Sequence, residues 1–125
     1  MINQFEKMIG VTCTSVSGEV GKEEMVFFVA EEPRFRFWHR QDCCEGVYID
    51  DVIGDLSDLV GSPIIVAEEV SSEDAPAPNE SASSYTWTFY RFATVKGVVT
   101  VKWLGTSNGY YSEGVSYDDL HSPSM

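Results

Sequence analysis

The sequence predicts a small α+β domain: a mostly antiparallel sheet of seven to eight strands packed with one helix. Three observations predict it. Apolar and polar residues alternate along several short runs, the period-2 mark of half-buried strands. One segment, 51–60, instead repeats its apolar residues at helical spacing. Turn residues separate the runs, and Asn108-Gly109 is a strong hairpin signal.

Each element follows in order. Residues 9–16 are rich in β-branched side chains and read as a first strand. Gly18 and Gly21 mark a turn after it. That turn is acidic and no helix follows, so it is no phosphate loop. Met25, Phe27 and Val29 share one side of a second strand, which Glu32-Pro33 ends. A third strand, 34–39, places Phe35 and Phe37 on one face and Arg34, Arg36 and Trp38 on the other. A short strand is expected at 46–49.

The helix is expected next. Asp50 or Asp51 serves as its N-cap, Val52, Leu56, Leu59 and Val60 form its apolar stripe, and Gly61 and Pro63 end it. Ile64–Ala67 reads as a buried strand. Residues 71–84 hold two prolines and no large apolar side chain before Tyr85, a flexible loop. Tyr85, Trp87 and Phe89 then alternate with Thr86, Thr88 and Tyr90 in a strand reaching Val95. Lys96-Gly97 turns the chain into 98–104, where Val99, Val101 and Trp103 alternate with Thr100 and Lys102. A last strand spans 110–117. Residues 1–125 make one domain, with 1–7 a loose N-terminal extension and 119–125 a frayed tail. Trp87, Phe89 and Trp103 are expected in the core. Tyr90, Tyr110 and Tyr111 are expected at the surface as adaptable contacts.

Composition narrows the function. The chain has 125 residues, 20 Asp+Glu against 8 Lys+Arg and a net charge of −12. Nucleic acids and anionic membranes are poor partners, because neutralising phosphate takes Lys and Arg. No apolar run is long enough to span a bilayer. The N-terminus lacks a signal peptide's basic and apolar regions, and three cysteines with Cys43 beside Cys44 form no secreted framework. The expected setting is a cytoplasm.

The acids are unevenly placed. No Lys or Arg falls between Arg40 and Arg91. Asp51, Asp55 and Asp58 have the spacing of one stripe on the expected helix, and Glu68 and Glu69 follow the next strand. These five are the candidate partner-binding residues: a surface that imitates nucleic-acid charge and docks on a basic protein. The competing reading of the stripe is a solvated face. A second candidate site is Arg34, Arg36, Trp38 and Arg40, which could stack and pair with a nucleotide. Cross-strand pairing with Glu23, Glu24, Glu31 and Glu32 is the simpler account.

Catalytic signals are weak. His39, Asp42, Cys43, Cys44 and Glu45 crowd seven positions, 39–45. No second Cys/His pair completes a zinc set, and His121 lies in the tail. A Cys–His nucleophile pair oriented by Asp42 is the remaining possibility, weaker than a structural role. No catalytic residue, metal or cofactor is expected, and the protein reads as no enzyme.

Several stretches together resemble a known family. They are Gly18–Gly21 with Glu24–Phe27, Asp42–Glu45, Gly54–Leu56 through Pro63-Ile64 and Glu68-Glu69, Tyr85–Tyr90 and Ser107–Glu113. Over about residues 8–118 the chain is similar to small, uncharacterised proteins encoded by phages and prophages. The resemblance transfers no activity. It implies a phage setting in the host cytoplasm, where small acidic proteins inhibit host enzymes or defences, as anti-CRISPR proteins and DNA mimics do. The combined expectation is a non-enzymatic inhibitor of a basic, nucleic-acid-binding host protein. The alternative is a protein that sequesters a nucleotide signal.

Overall fold

The structure, a computed structural model, describes residues 5–40, 44–70, 84–107 and 113–120. Among the described residues, eight strands run in order: β1 (Ser15–Ser17), β2 (Glu24–Val29), β3 (Glu32–Trp38), β4 (Gly46–Ile53), β5 (Val66–Val70), β6 (Ser84–Thr94), β7 (Gly97–Ser107) and β8 (Ser116–Asp119). They form two four-stranded antiparallel sheets, ordered β1-β2-β3-β8 and β4-β7-β6-β5. Buried side chains from both sheets meet in one core cluster, so the sheets pack as a sandwich. Among the described residues, no helix is long and apolar enough to cross a membrane.

The expected α+β class is corrected: the fold is nearly all-β. The helix expected over 51–60 does not exist. Asp51, Val52 and Ile53 continue β4, and only Leu56–Leu59 coils, as one 3₁₀ turn. Gly54 divides the two at φ +114°, and a Cβ there would stand 2.6 Å from the Val98 carbonyl oxygen. The misreading has a physical cause. Leu56 and Leu59 are three apart, a spacing that a single 3₁₀ turn satisfies as well as an α-helix. Asp55, rather than Asp50 or Asp51, caps the turn by accepting from the Ser57 N–H at 2.9 Å.

Other boundaries also shift. Of the expected strand 9–16, only the end joins β1, and Cys13 instead bridges Val60 in parallel. Pro33 does not end the second strand. Chain reversal occurs at Ala30-Glu31, both at positive φ, the type I′ geometry of a two-residue hairpin. Ser84, expected in the loop, opens β6, while 71–83 lie outside the described residues. Of the last expected strand, 116–117 fall in β8, and 110–112 lie outside the described residues. Residues 121–125 of the tail also lie outside, but Asp119 ends β8 and the Leu120 N–H donates to the Arg34 carbonyl.

The core is aromatic. Phe37 meets Phe5, Phe27, Tyr90, Phe92 and Tyr117, with ring centroids 4.8–6.0 Å apart. Tyr90 and Phe92 belong to the second sheet and Phe27 and Phe37 to the first, so these contacts join the layers. Among the described residues, the buried Trp103 Nε1 and Tyr117 Oη have no hydrogen-bond partner. Such orphans cost on the order of 1–3 kcal/mol each.

Two sequence expectations reverse here. Phe5 is no part of a loose extension: it is 2% exposed and touches Phe37, Tyr90 and Tyr117. Tyr90, expected at the surface, is also 2% exposed. Tyr110 and Tyr111 lie outside the described residues. Replacing Phe5 by Ala should therefore lower unfolding free energy by about 3–5 kcal/mol in a urea titration, the usual cost of emptying a buried Phe site. No change in the midpoint would return the N-terminus to a loose extension.

Candidate functional site

Residues on the outer faces and ends of the sandwich are the ones free to do chemistry or bind. Three places collect them.

The first is the outer face of the β1-β2-β3-β8 sheet. It brings Arg34, Arg36 and Trp38 together, as their alternation on β3 requires. The Arg36 guanidinium lies 4.0 Å from the Trp38 ring centroid. Each member already has an acidic partner. Arg36 pairs with Glu24, Trp38 Nε1 donates to Asp118 at 2.6 Å, and Arg34 pairs with Asp119 at 3.5 Å. Cross-strand pairing is thus part of the explanation, but the main acids come from β8, not from Glu23, Glu31 or Glu32. A phosphate arriving here would have to displace carboxylates. Arg40 is exposed beyond the end of β3.

The second place is the end where β3 leads to β4 and β7 leads to β8. His39 lies between two acceptors: Nδ1 is 2.8 Å from the Gly114 carbonyl oxygen and Nε2 is 2.8 Å from Glu45 Oε2. A carbonyl only accepts, so Nδ1 carries a proton, and Nε2 shares one with Glu45. Both side chains are buried. Cys44 is disulfide-bonded and offers no thiol to His39. Asp42 and Cys43 lie outside the described residues. Among the described residues, no three His, Cys, Asp or Glu side chains gather as metal ligands.

Next to this pair, Glu113 is buried and accepts from Thr86 Oγ1 at 2.8 Å and from Ser107 Oγ. Burial alone would raise its carboxyl, but hydrogen bonds from Ser107, Ser84 and Thr86 outweigh that and hold it below the ordinary range. Gly105 makes the site possible: a Cβ there would stand 2.2 Å from the Glu113 carbonyl oxygen. The cluster ties β6 and β7 to the start of β8. Its role in the fold is to join the sheets, and the sequence reading did not single out Glu113.

The third place is the outer face of the β4-β7-β6-β5 sheet, and here the sequence reading of β6 is inverted. Thr88, Tyr90 and Phe92 face the core, so Trp87 and Phe89 face outward. The pairing fixes this phase. Thr88 stands opposite the buried Trp103, whereas Phe89 stands opposite Lys102 and Trp87 opposite Leu104. Tyr48 of β4 also pairs with Leu104. Leu104 is 3% exposed yet is not part of the core cluster. Tyr48 and Trp87 flank it across the strands, and Tyr85 lies farther along β6, 39% exposed. The Lys102 ammonium stands 5.3 Å from the Trp87 ring centroid and 5.6 Å from that of Phe89.

The five predicted acids do not form a helical stripe, but they border this sheet. Asp51 is exposed on β4, opposite Lys102. Asp55 and Asp58 belong to the 3₁₀ turn at the β6–β7 hairpin end, where Thr94 Oγ1 donates to the Asp58 carbonyl. Glu68 and Glu69 sit on β5, the opposite edge. Three strand spacings put Asp51 about 14 Å from Val70, its register mate on β5, and Glu68 lies two residues along from there. Glu68 is neutralised by Arg91. Asp51, Asp55, Asp58 and Glu69 have no cation within ion-pair distance among the described residues. Hydrogen bonds from the Ser57 side chain and backbone hold the Asp55 carboxyl below its ordinary value, favouring its charged form.

The Glu113 cluster makes a stability prediction. A group whose folded-state pKa is depressed stabilises above its unfolded pKa and loses that contribution as pH falls. Unfolding free energy should therefore drop more steeply below about pH 4 in the native chain than in Glu113→Ala. At pH 7 the variant should be less stable by about 1–3 kcal/mol, because three hydroxyls lose their acceptor. Equal acid profiles would contradict the assignment.

A family described as a domain of unknown function, DUF7448, matches residues 6–117. Comparison with curated proteins and with solved structures found no match. The match takes in both sheets, the buried Glu45 and Glu113 and the acid-bordered face, and the chain belongs to the DUF7448 family.

Proposed function

We propose that the protein acts by binding: a phage-encoded inhibitor that docks on a basic, nucleic-acid-handling host protein and keeps nucleic acid from it. The observation that supports this reading is the border of unpaired acids around the second sheet. Asp51, Asp55, Asp58 and Glu69 lie on three sides of one sheet, and among the described residues none of them forms an ion pair. Leaving like charges unpaired around one surface gains nothing for folding. It does speed encounter with a positive groove, in a way that salt weakens. The resemblance to phage and prophage proteins supports the setting, with the host cytoplasm as the compartment and an anti-CRISPR-like role as one form of the activity. Two of the described groups that suit nucleophilic or general-base chemistry are held within the fold. His39 is held between Gly114 and Glu45, and Cys13 is buried, its thiol pushed up to about 11 mainly by burial.

The test is affinity capture from a host lysate at low and high salt, with the native chain and a charge variant. Asp55→Asn, Asp58→Lys and Glu69→Lys are combined, since Asn preserves the cap on Ser57. A DNA- or RNA-binding protein should be recovered at low salt and lost at high salt. It should bind the variant at least about tenfold more weakly, while the melting temperature changes little. Undiminished capture by the variant would sink the reading.

A further inference from the structure

We infer that the outward face of the β4-β7-β6-β5 sheet is the contact surface itself, and that it receives arginine side chains from a basic segment of the partner. The inference rests on the binding reading above and deepens it, by naming which groups meet.

Two features of this face point to a cation. Aromatic rings present an electron-rich face to cations, and a guanidinium stacks on them at little desolvation cost. Here the preference is already in use, because Lys102 lies near the ring faces of Trp87 and Phe89. Tyr48 and Tyr85 extend the aromatic area to either side. The second feature is charge. Asp51 stands on one edge of the face, Glu68 on the other in its pair with Arg91, and Asp55 and Asp58 at its end. A guanidinium that stacks on the rings can pair with a carboxylate at the rim, which fits an arginine better than an apolar or acidic side chain. Single-stranded nucleic acid also stacks on aromatic sheet faces, but its phosphates would meet these acids. The observations therefore favour a basic protein segment.

Lys102 has a particular place in this arrangement. It occupies the rings that an incoming arginine would use, and it repels that arginine. Removing its charge should tighten binding, an outcome opposite to that expected for a lysine that contacts the partner.

The experiment titrates the isotopically labelled full chain with a synthetic twelve-residue peptide bearing four arginines on a Gly/Ser background. The same peptide with citrulline in place of arginine is the neutral control. The inference expects saturable NMR shifts centred on Tyr48, Phe89, Lys102 and Leu104. It expects binding weaker by about tenfold for the citrulline peptide and for Phe89→Ala, and tighter by about threefold or more for Lys102→Met. Shifts confined to Asp55 and Asp58, or to the Arg34–Trp38 face, would overturn the inference and leave the binding reading standing. Weaker binding by Lys102→Met would also overturn it. No saturable binding of the arginine peptide at low salt would overturn both. Preferential binding of a single-stranded oligonucleotide to this face would overturn the choice of partner.

Discussion

Phe37 is where the two sheets meet. Its ring contacts Phe5, Phe27, Tyr90, Phe92 and Tyr117, which come from both layers and from the N-terminal segment. A buried Phe contributes roughly 1.5–3 kcal/mol by removing its surface from water, and neighbouring rings add about 0.5–1.5 kcal/mol per pair. This packing sets the phase of every strand that enters it. Because Tyr90 and Phe92 must face Phe37, Trp87 and Phe89 cannot. The aromatic outer face is thus a consequence of the core.

That division also sorts the polar residues. The buried carboxylates gather at one end of the second sheet, where Glu113 takes three hydroxyls and Glu45 meets His39. These buried groups are satisfied from inside the chain. The outer face of the first sheet is satisfied as well, with Arg34, Arg36 and Trp38 each given an acid. On the second sheet the balance is different. Four acids at its borders lack cation partners among the described residues, and its centre is aromatic. The loop between β1 and β2 covers part of the β4 edge, where Gly21 and Lys22 bond Ile49. That contact reduces the free strand edge.

Strands were legible where one face alone is apolar. β3 and β7 read correctly because Phe35, Phe37, Val99, Val101 and Trp103 alternate with polar or charged neighbours. β6 was legible as a strand but not in its phase, because both its faces carry aromatics and local alternation has no preference between them. Only pairing Thr88 with Trp103 decides it. The 51–60 segment was misread because Leu56 and Leu59 fit two kinds of turn, while Val52 and Ile53 belong to β4. Phe5 left no signal, since a single apolar residue among polar neighbours has no period. Of the candidate site, the five acids were legible as an uncompensated charge run. Their common border around one sheet was not, because it is made by strand order. Glu113 was missed for a related reason: its three hydroxyl partners are distant in sequence.

Carboxyl footprinting of the chain with and without its captured partner tests the central claim most directly. Carbodiimide labelling should be suppressed by the partner at Asp51, Asp55, Asp58 and Glu69, which border the second sheet. Labelling of Glu19, Glu23, Glu31 and Glu32, on the loops and hairpin of the first sheet, should be unchanged. Protection of the second group with free labelling of the first would place the contact on the other sheet and contradict the account.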